Sequence, residues 1–321
     1  MKTQAISEIL TVTLNPALDY ATTVPRIVAN RKLYCGPARV DPGGGGVNVA
    51  RAVGRLGGMA TALVVTGGAT GKKLMTLLST EPGVRTVPFE VAGETCFSFA
   101  ATDDETGDQQ RFSLPGEALT AMERTNLLKA IKDATPRDGL VVLSGGIAPG
   151  LPDDFLKRIQ SEIRSRSPRI VVDTSRAPLR SLIETPIAPL FLLRVDQKEA
   201  AQAAQHSMDT LADSLLFART LVARGVAHHV VTGRGAEGSL MVTPDRAFLC
   251  HAPQVPVKSK IGAGDALVGA MVLAFARHDP PEQALKWGVA AASATVGTEG
   301  TALCDLETVT ALLHDCYIEA I

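Results

Sequence analysis

Between residues 140 and 232 the chain carries Leu140-Val-Val-Leu143, Ile170-Val-Val172, Leu190-Phe-Leu-Leu193 and His229-Val-Val-Thr232. A strand with one wet face alternates apolar and polar residues. Runs this short and this continuously apolar belong to strands buried on both faces. Helical windows at 153–165 and 207–224 separate them. Outward from this block the rhythm continues: Ile9–Leu14 and Ala60–Val65 read as strands and Val47–Leu56 as a helix. Strand and helix in alternation predict an α/β protein, with a mostly parallel central sheet covered by helices on both faces. Ligands of such sheets bind beyond the carboxyl ends of the strands, so the loops there are where chemistry is sought.

Two stretches break the rhythm. Residues 20–41 read as irregular. Residues 95–114 read as a hairpin around Asp103-Asp-Glu-Thr-Gly-Asp108, with Phe112 and Leu114 alternating with Arg111 and Ser113. Together they predict a small β-sheet flap over the ligand edge. Without internal repeats or a low-complexity linker, the expected organisation is one domain over 1–321, with a lid from about 15–40 and 92–114 inserted into it.

Hydrophobic residues make up 45% of the 321 and charged residues 20%, enough to fill a core. The net charge of −1 excludes a general nucleic-acid binder, which needs a basic surplus to displace counterions. Five scattered cysteines without CxxC spacing point to neither zinc nor a disulfide framework, and a reducing cytoplasmic compartment is expected. Gln4, Ser7 and Glu8 interrupt any apolar run after Lys2, so no signal peptide is read. Ala266–Ala276, the longest apolar stretch, falls short of the roughly 18 residues a membrane helix needs, so no membrane partner is expected.

Several glycine-rich segments invite a chemical reading. Gly233-Arg-Gly-Ala-Glu-Gly238 is a literal GxGxxG, but the residues after it read as a strand, so no helix N-terminus would meet a pyrophosphate. A turn that lets a nucleotide approach the backbone suits it better. Thr66-Gly-Gly-Ala-Thr-Gly-Lys-Lys73 departs from a phosphate-binding P-loop at both ends. Gly43-Gly-Gly-Gly-Val-Asn48 is either a flexible turn capped by Asn48 or a backbone cradle with a hydrogen-bonding side chain on the first helical turn. Lys258-Ser-Lys-Ile-Gly-Ala-Gly-Asp265 leads into a wholly apolar helix, whose free amides would make an anion hole. Asp265 caps that helix in the bland reading. In the other it is a base beside donors for a transferring phosphoryl group, and that logic favours the second. Asp196 and Glu199 stand one helical turn apart, as a solvated helix start or as a holder of hydrated Mg²⁺. The histidines lack metal-ligand spacing.

Taken in order, Thr11-Val-Thr-Leu-Asn-Pro-Ala-Leu-Asp19, Gly43–Asn48 with Val49-Ala-Arg-Ala52, Asp196–Glu199, Gly235–Gly238 and Gly262-Ala-Gly-Asp265 resemble the PfkB (ribokinase-like) carbohydrate kinases over nearly the whole chain. The phosphosugar branch is most similar: minor bacterial 6-phosphofructokinases, then tagatose-6-phosphate kinases and 1-phosphofructokinases. The resemblance implies a ribokinase-like α/β domain and a β lid that pairs with a second subunit's lid in a homodimer. It implies Asp265 as catalytic base, with Gly262, Ala263 and Gly264 as the anion hole. Asp19, Gly43, Gly44 and Asn48 would contact sugar hydroxyls, and Lys32 and Arg111 would reach the sugar phosphate. Asp196, Lys198, Thr232, Gly235, Gly238 and Lys258 would serve ATP, with Glu199 and Asp196 organising Mg²⁺ through water.

Three departures accompany it. Cys96 stands where relatives place a cationic arginine after Thr95. Arg194-Val-Asp196 replaces Lys-Pro-Asn and adds negative charge. Ser259-Lys-Ile261 is shortened, which leaves a monovalent-cation site open. The implied reaction is ATP-dependent phosphorylation of a ketohexose phosphate, fructose 6-phosphate first. Tagatose 6-phosphate, fructose 1-phosphate and a catalytically weak sugar-phosphate binder are the alternatives.

Overall fold

The computed structural model describes residues 5–321; Lys2 and Gln4, used in the leader reading, lie outside the described residues. In chain order the first elements are β1 (Ile9–Thr13), β2 (Ala17–Val24), β3 (Arg39–Gly43), α1 (Gly45–Arg55), β4 (Ala60–Thr66), α2 (Gly68–Leu78), β5 (Val84–Glu90), β6 (Cys96–Asp103) and β7 (Gln109–Leu114). The middle of the chain forms α3 (Ala121–Ala134), β8 (Leu140–Ser144), α4 (Phe155–Ile163), β9 (Arg169–Asp173), α5 (Arg176–Glu184), β10 (Leu190–Asp196), α6 (Gln197–Ala204), α7 (Leu211–Ala223) and β11 (Ala227–Gly233). The last part forms β12 (Ser239–Val242), β13 (Ala247–His251), α8 (Ala263–Ala276), α9 (Pro281–Val296), α10 (Leu306–Leu313) and β14 (Tyr317–Ala320).

Ten strands make one sheet in the order β14-β13-β12-β11-β10-β9-β8-β1-β4-β5. From β11 to β5 every neighbouring pair is parallel; β12, β13 and β14 complete the other edge antiparallel. The apolar runs explain this placement. Val142, Val171, Leu192 and Val231 join one buried layer with α1, α8 and α9. Val141, Val172, Leu193 and Val230 join the opposite layer with α3 to α7. Strands buried on both faces need helices on both, and the fold is the α/β architecture expected from the sequence. Strand β12 follows Gly233–Gly238 directly, with only a short 3₁₀ turn over Gly235–Glu237, so that segment joins strand to strand as its reading required. Among the described residues no helix is long and apolar enough to cross a membrane.

A separate four-stranded sheet has the order β3-β2-β6-β7. The hairpin read over 95–114 forms β6 and β7. The irregular reading of residues 20–41 is corrected: its ends lie in β2 and β3, and only the segment between these strands lacks regular structure. Strand β2 pairs in parallel with β6, so its partner is distant in sequence and no local turn betrays it. Strand β3 contains Pro42, which argues against a central strand; β3 is an edge, where proline is tolerated.

Candidate active site

The glycine run joins β3 to α1 and passes the carboxyl end of β1, with Gly44 and Gly46 against Thr13. A Cβ on Gly43 would collide with the Asp19 carboxylate, so only glycine lets the chain pass beside it. Gly44 ends the turn and precedes α1, which has no side-chain cap. Asn48 is therefore not the cap that the bland reading offered. Its Nδ2 instead donates to Asp265 Oδ2 at 2.9 Å, across 217 positions of sequence.

Asp265 occupies the first turn of α8, behind Gly262 in the left-handed region (φ 78°), and that helix also has no side-chain cap. With the capping role gone, its carboxylate faces Asn48. Burial, with Asp173 and Asp19 nearby, pushes it up to about 7 against the opposing pull of Asn48 and Arg194. The ordinary acidity of a free carboxyl does not apply here. The amides of Ala263, Gly264 and Asp265 have no intrahelical acceptor at this terminus and form a ready anion site. Gly264 also makes room for Arg194: a Cβ there would lie 3.0 Å from the guanidinium, which would have to shift.

Arg194, at the carboxyl end of β10, donates to Asp173 Oδ1 at 3.1 Å and lies 3.9 Å from Glu199 Oε2. Asp196 and Glu199 form a reciprocal capping box on α6, each side chain accepting from the other's backbone N–H at 2.7 and 2.8 Å. The helix-start reading of this pair is thus correct as a local structure. Burial and the neighbouring Asp196 and Asp173 raise Glu199 to about 7, against the pull of Arg194. Buried hydroxyls without partners, Thr13 Oγ1, Ser144 Oγ and Thr232 Oγ1, stand at the carboxyl ends of β1, β8 and β11. Gly235 opens the short turn after β11, and Gly238 closes it against the backbone of Cys250. Lys198 is exposed on α6, while Lys258 is exposed with its Nζ 3.5 Å from Glu299.

On the small sheet, Asp19 is pushed up to about 6, first by burial, against a Ser98 hydrogen bond and the Arg111 charge. Arg111 pairs with Ala100, and Ala100 with Ala21, two residues along from Asp19. Arg111, Ser98 and Asp19 therefore share a face. Lys32 lies on the exposed segment between β2 and β3, its Nζ 5.1 Å over the Tyr34 ring. Cys96 lies two residues before Ser98 on the same face of β6; it is buried, and its thiol donates to Leu114 O at 2.9 Å.

Residues missed in the sequence are Asp173, Ser98, Arg51 and Asp41. Asp173 and Arg194 are charged groups inside otherwise apolar strands, and that anomaly was the available signal. Among the described residues no cluster of three or more His, Cys, Asp or Glu suits a metal by itself.

A largely buried carboxylate at an open helix start, beside a parallel sheet's ligand edge and facing polar groups from a β flap, defines the carbohydrate kinase class. The chain belongs to the pfkB family of carbohydrate kinases, whose profile matches residues 13–309. It is 36% identical over 304 residues to ATP-dependent 6-phosphofructokinase isozyme 2 of Mycobacterium tuberculosis, covering 94% of this chain and 87% of the relative. It is 29% identical over 294 residues to 1-phosphofructokinase of Bacillus subtilis, covering 91% and 93%. Phosphofructokinase-2 from Escherichia coli in complex with fructose-6-phosphate superposes with a TM-score of 0.89 at 33% identity, over 96% of this chain and 99% of that one.

Proposed function

We propose that the protein transfers the γ-phosphoryl group of ATP to a free primary hydroxyl of a ketohexose phosphate, fructose 6-phosphate before its isomers. The observation that carries this reading is the Asn48–Asp265 pair at the open start of α8. Asp265 takes the hydroxyl proton while the amides of Ala263, Gly264 and Asp265 receive the transferring group. Asp19, Asn48 and the backbone at Gly43 and Gly44 position the sugar, with Arg111 and Lys32 from the lid gripping its phosphate. Thr232, Gly235, Gly238, Lys198 and Lys258 line the ATP side.

Glu199 and Asp196 are the groups that fit Mg²⁺, through water: two carboxylates one helical turn apart, Glu199 raised to about 7 by burial and by the neighbouring carboxylates Asp196 and Asp173. When bound, Mg²⁺ neutralises charge on the phosphates. A potassium complex is known for the E. coli phosphofructokinase-2, and omission of potassium from the assay tests a monovalent-cation requirement here. The free thiols at Cys35, Cys96, Cys250, Cys304 and Cys316 support a reducing, cytoplasmic setting. In the lid, residues 17–24 and 39–43 join 96–114, and its outer face supports a homodimer.

The test is ATP-dependent phosphorylation across fructose 6-phosphate, tagatose 6-phosphate, fructose 1-phosphate and unphosphorylated sugars. Highest kcat/KM on fructose 6-phosphate is the expected result. Preference for fructose 1-phosphate moves the chain to the 1-phosphofructokinase reading, and preference for unphosphorylated sugars overturns the phosphosugar assignment.

A further inference from the structure

The largest fully buried side chain is that of Arg51, in the middle of α1. Its Nε donates to Glu81 Oε1 at 2.8 Å, and its Nη1 to Pro42 O at 3.0 Å and to Asn48 Oδ1 at 3.2 Å. Its Nη2 lies 3.6 Å from Asp41 Oδ1 on β3. A cation this deep is stable only when paired, and Glu81 and Asp41 supply the charge. Neither carboxylate depends on Arg51 alone. Glu81 also accepts from Arg55 at 3.1 Å, and Asp41 accepts from Arg39 and Thr301. Asn48 Oδ1 has no second donor among these contacts.

Guanidinium only donates, whereas an amide has one accepting and one donating end. With Oδ1 turned toward Arg51, Nδ2 is turned toward Asp265. A flipped amide would set N–H against N–H on one side and oxygen against a carboxylate on the other. We infer that Arg51 is a positioning residue, which locks the Asn48 amide in the one orientation that holds Asp265 for the attacking hydroxyl. Asp265 Oδ2 is then occupied by Asn48, and the remaining oxygen is available to the substrate. The chain Glu81–Arg51–Asn48–Asp265 links the loop after α2 to the start of α8, and Asp41 ties the small sheet to the same cation. This inference rests on Asp265 acting as the base, so the experiment includes a readout that does not depend on turnover.

The experiment is a double-mutant cycle between Arg51→Met and Asn48→Ala in the full chain. It is read by kcat on the phosphosugar, by Tm, and by the side-chain amide signals of Asn48 in 15N-asparagine-labelled protein. The chain has only four asparagines (Asn15, Asn30, Asn48 and Asn126), so Asn48→Ala assigns the signal. Arg51→Met is expected to lower kcat about 10–100-fold, the coupling found within one hydrogen-bonded network. In the Asn48→Ala background it is expected to lower kcat no further while still lowering Tm. Its Asn48 amide signals are expected to move toward those of the exposed asparagines. Arg51→Lys, which keeps the charge beside Glu81 but lacks the fork, is expected to show the same kcat loss with a smaller fall in Tm. Multiplying kcat losses in the double variant, or an unmoved Asn48 signal in Arg51→Met and Arg51→Lys, would overturn the inference. If the wild type phosphorylates no ketohexose phosphate, the functional reading fails while the amide signals still decide the role of Arg51.

Discussion

At the scale of single residues the decisive group is Asp265. Its position was readable from Gly262-Ala-Gly-Asp265, but its acidity was not, because Asp173, Asp19 and Asn48 reach it from β9, β2 and α1. With the carboxyl raised to about 7, the base is protonated and idle below that pH. kcat/KM for the sugar phosphate, which reports the free enzyme, should fall about tenfold per pH unit below about 7 and level off above it. A flat profile from pH 5.5 to 8 would remove Asp265 as the base. Replacing it with Asn keeps the size and a partner for Asn48 but removes the basic oxygen, and kcat should drop about 10²–10⁴-fold with little change in sugar KM. The same substitution should stabilise. A carboxyl whose folded value is raised binds its proton more tightly in the native state, so stability declines as pH climbs from about 4 to about 7. Asp265→Asn escapes that decline. Its Tm should match wild type at pH 4 and exceed it by about 2–4 °C at pH 8, as thermal melts at the two pH values would show.

Among the elements, the two-sided apolar strands β8 to β11 were legible because burial on both faces leaves nothing to alternate. The helix α8 was legible for a similar reason, since nearly every side chain after Asp265 is apolar. Strands β2 and β3 were hidden, one by its distant parallel partner and the other by Pro42. Arg194 and Asp173 were hidden within apolar strands, where a charged residue counts against the pattern even as it builds the site. The alternation of strand β7 was readable, and it sets Arg111 on the face of Asp19. Cys96 sits on that face too, two residues before Ser98, as a neutral thiol that donates to Leu114 O. Arg111 is then the cation of the small sheet best placed for the substrate phosphate. Loss of a charge-assisted contact worth about 1.5–3 kcal/mol corresponds to a rise of roughly 10–150-fold in KM. Arg111→Ala should show that rise for the phosphosugar with ATP KM unchanged. Unchanged phosphosugar kinetics would place the phosphate elsewhere.

At the scale of the whole molecule, the outer face of the small sheet is a surface that the fold of one chain leaves uncovered. On β7, Phe112 is 60% exposed and Leu114 61%, though both belong to an apolar row. Register extends the row: Phe112 pairs with Phe99 and Leu114 with Phe97, whose ring lies 5.0 Å from that of Tyr20. The opposite face of the same sheet carries Asp19, Ser98 and Arg111. A sheet with polar residues toward the cleft and aromatic residues toward solvent has its apolar side where a second copy would cover it. If the lids pair, one protomer's sheet is held in place by the other's, and the hold on the sugar phosphate depends on the dimer. Phe112→Glu with Leu114→Glu puts like charges into that row on both copies without touching Asp265 or Asn48. Sedimentation should show a dimer for the wild type and a monomer for the double variant. Phosphosugar KM should rise with dissociation, while kcat at saturating sugar changes far less. A variant that stays dimeric with unchanged KM would mean that the subunits meet on another surface.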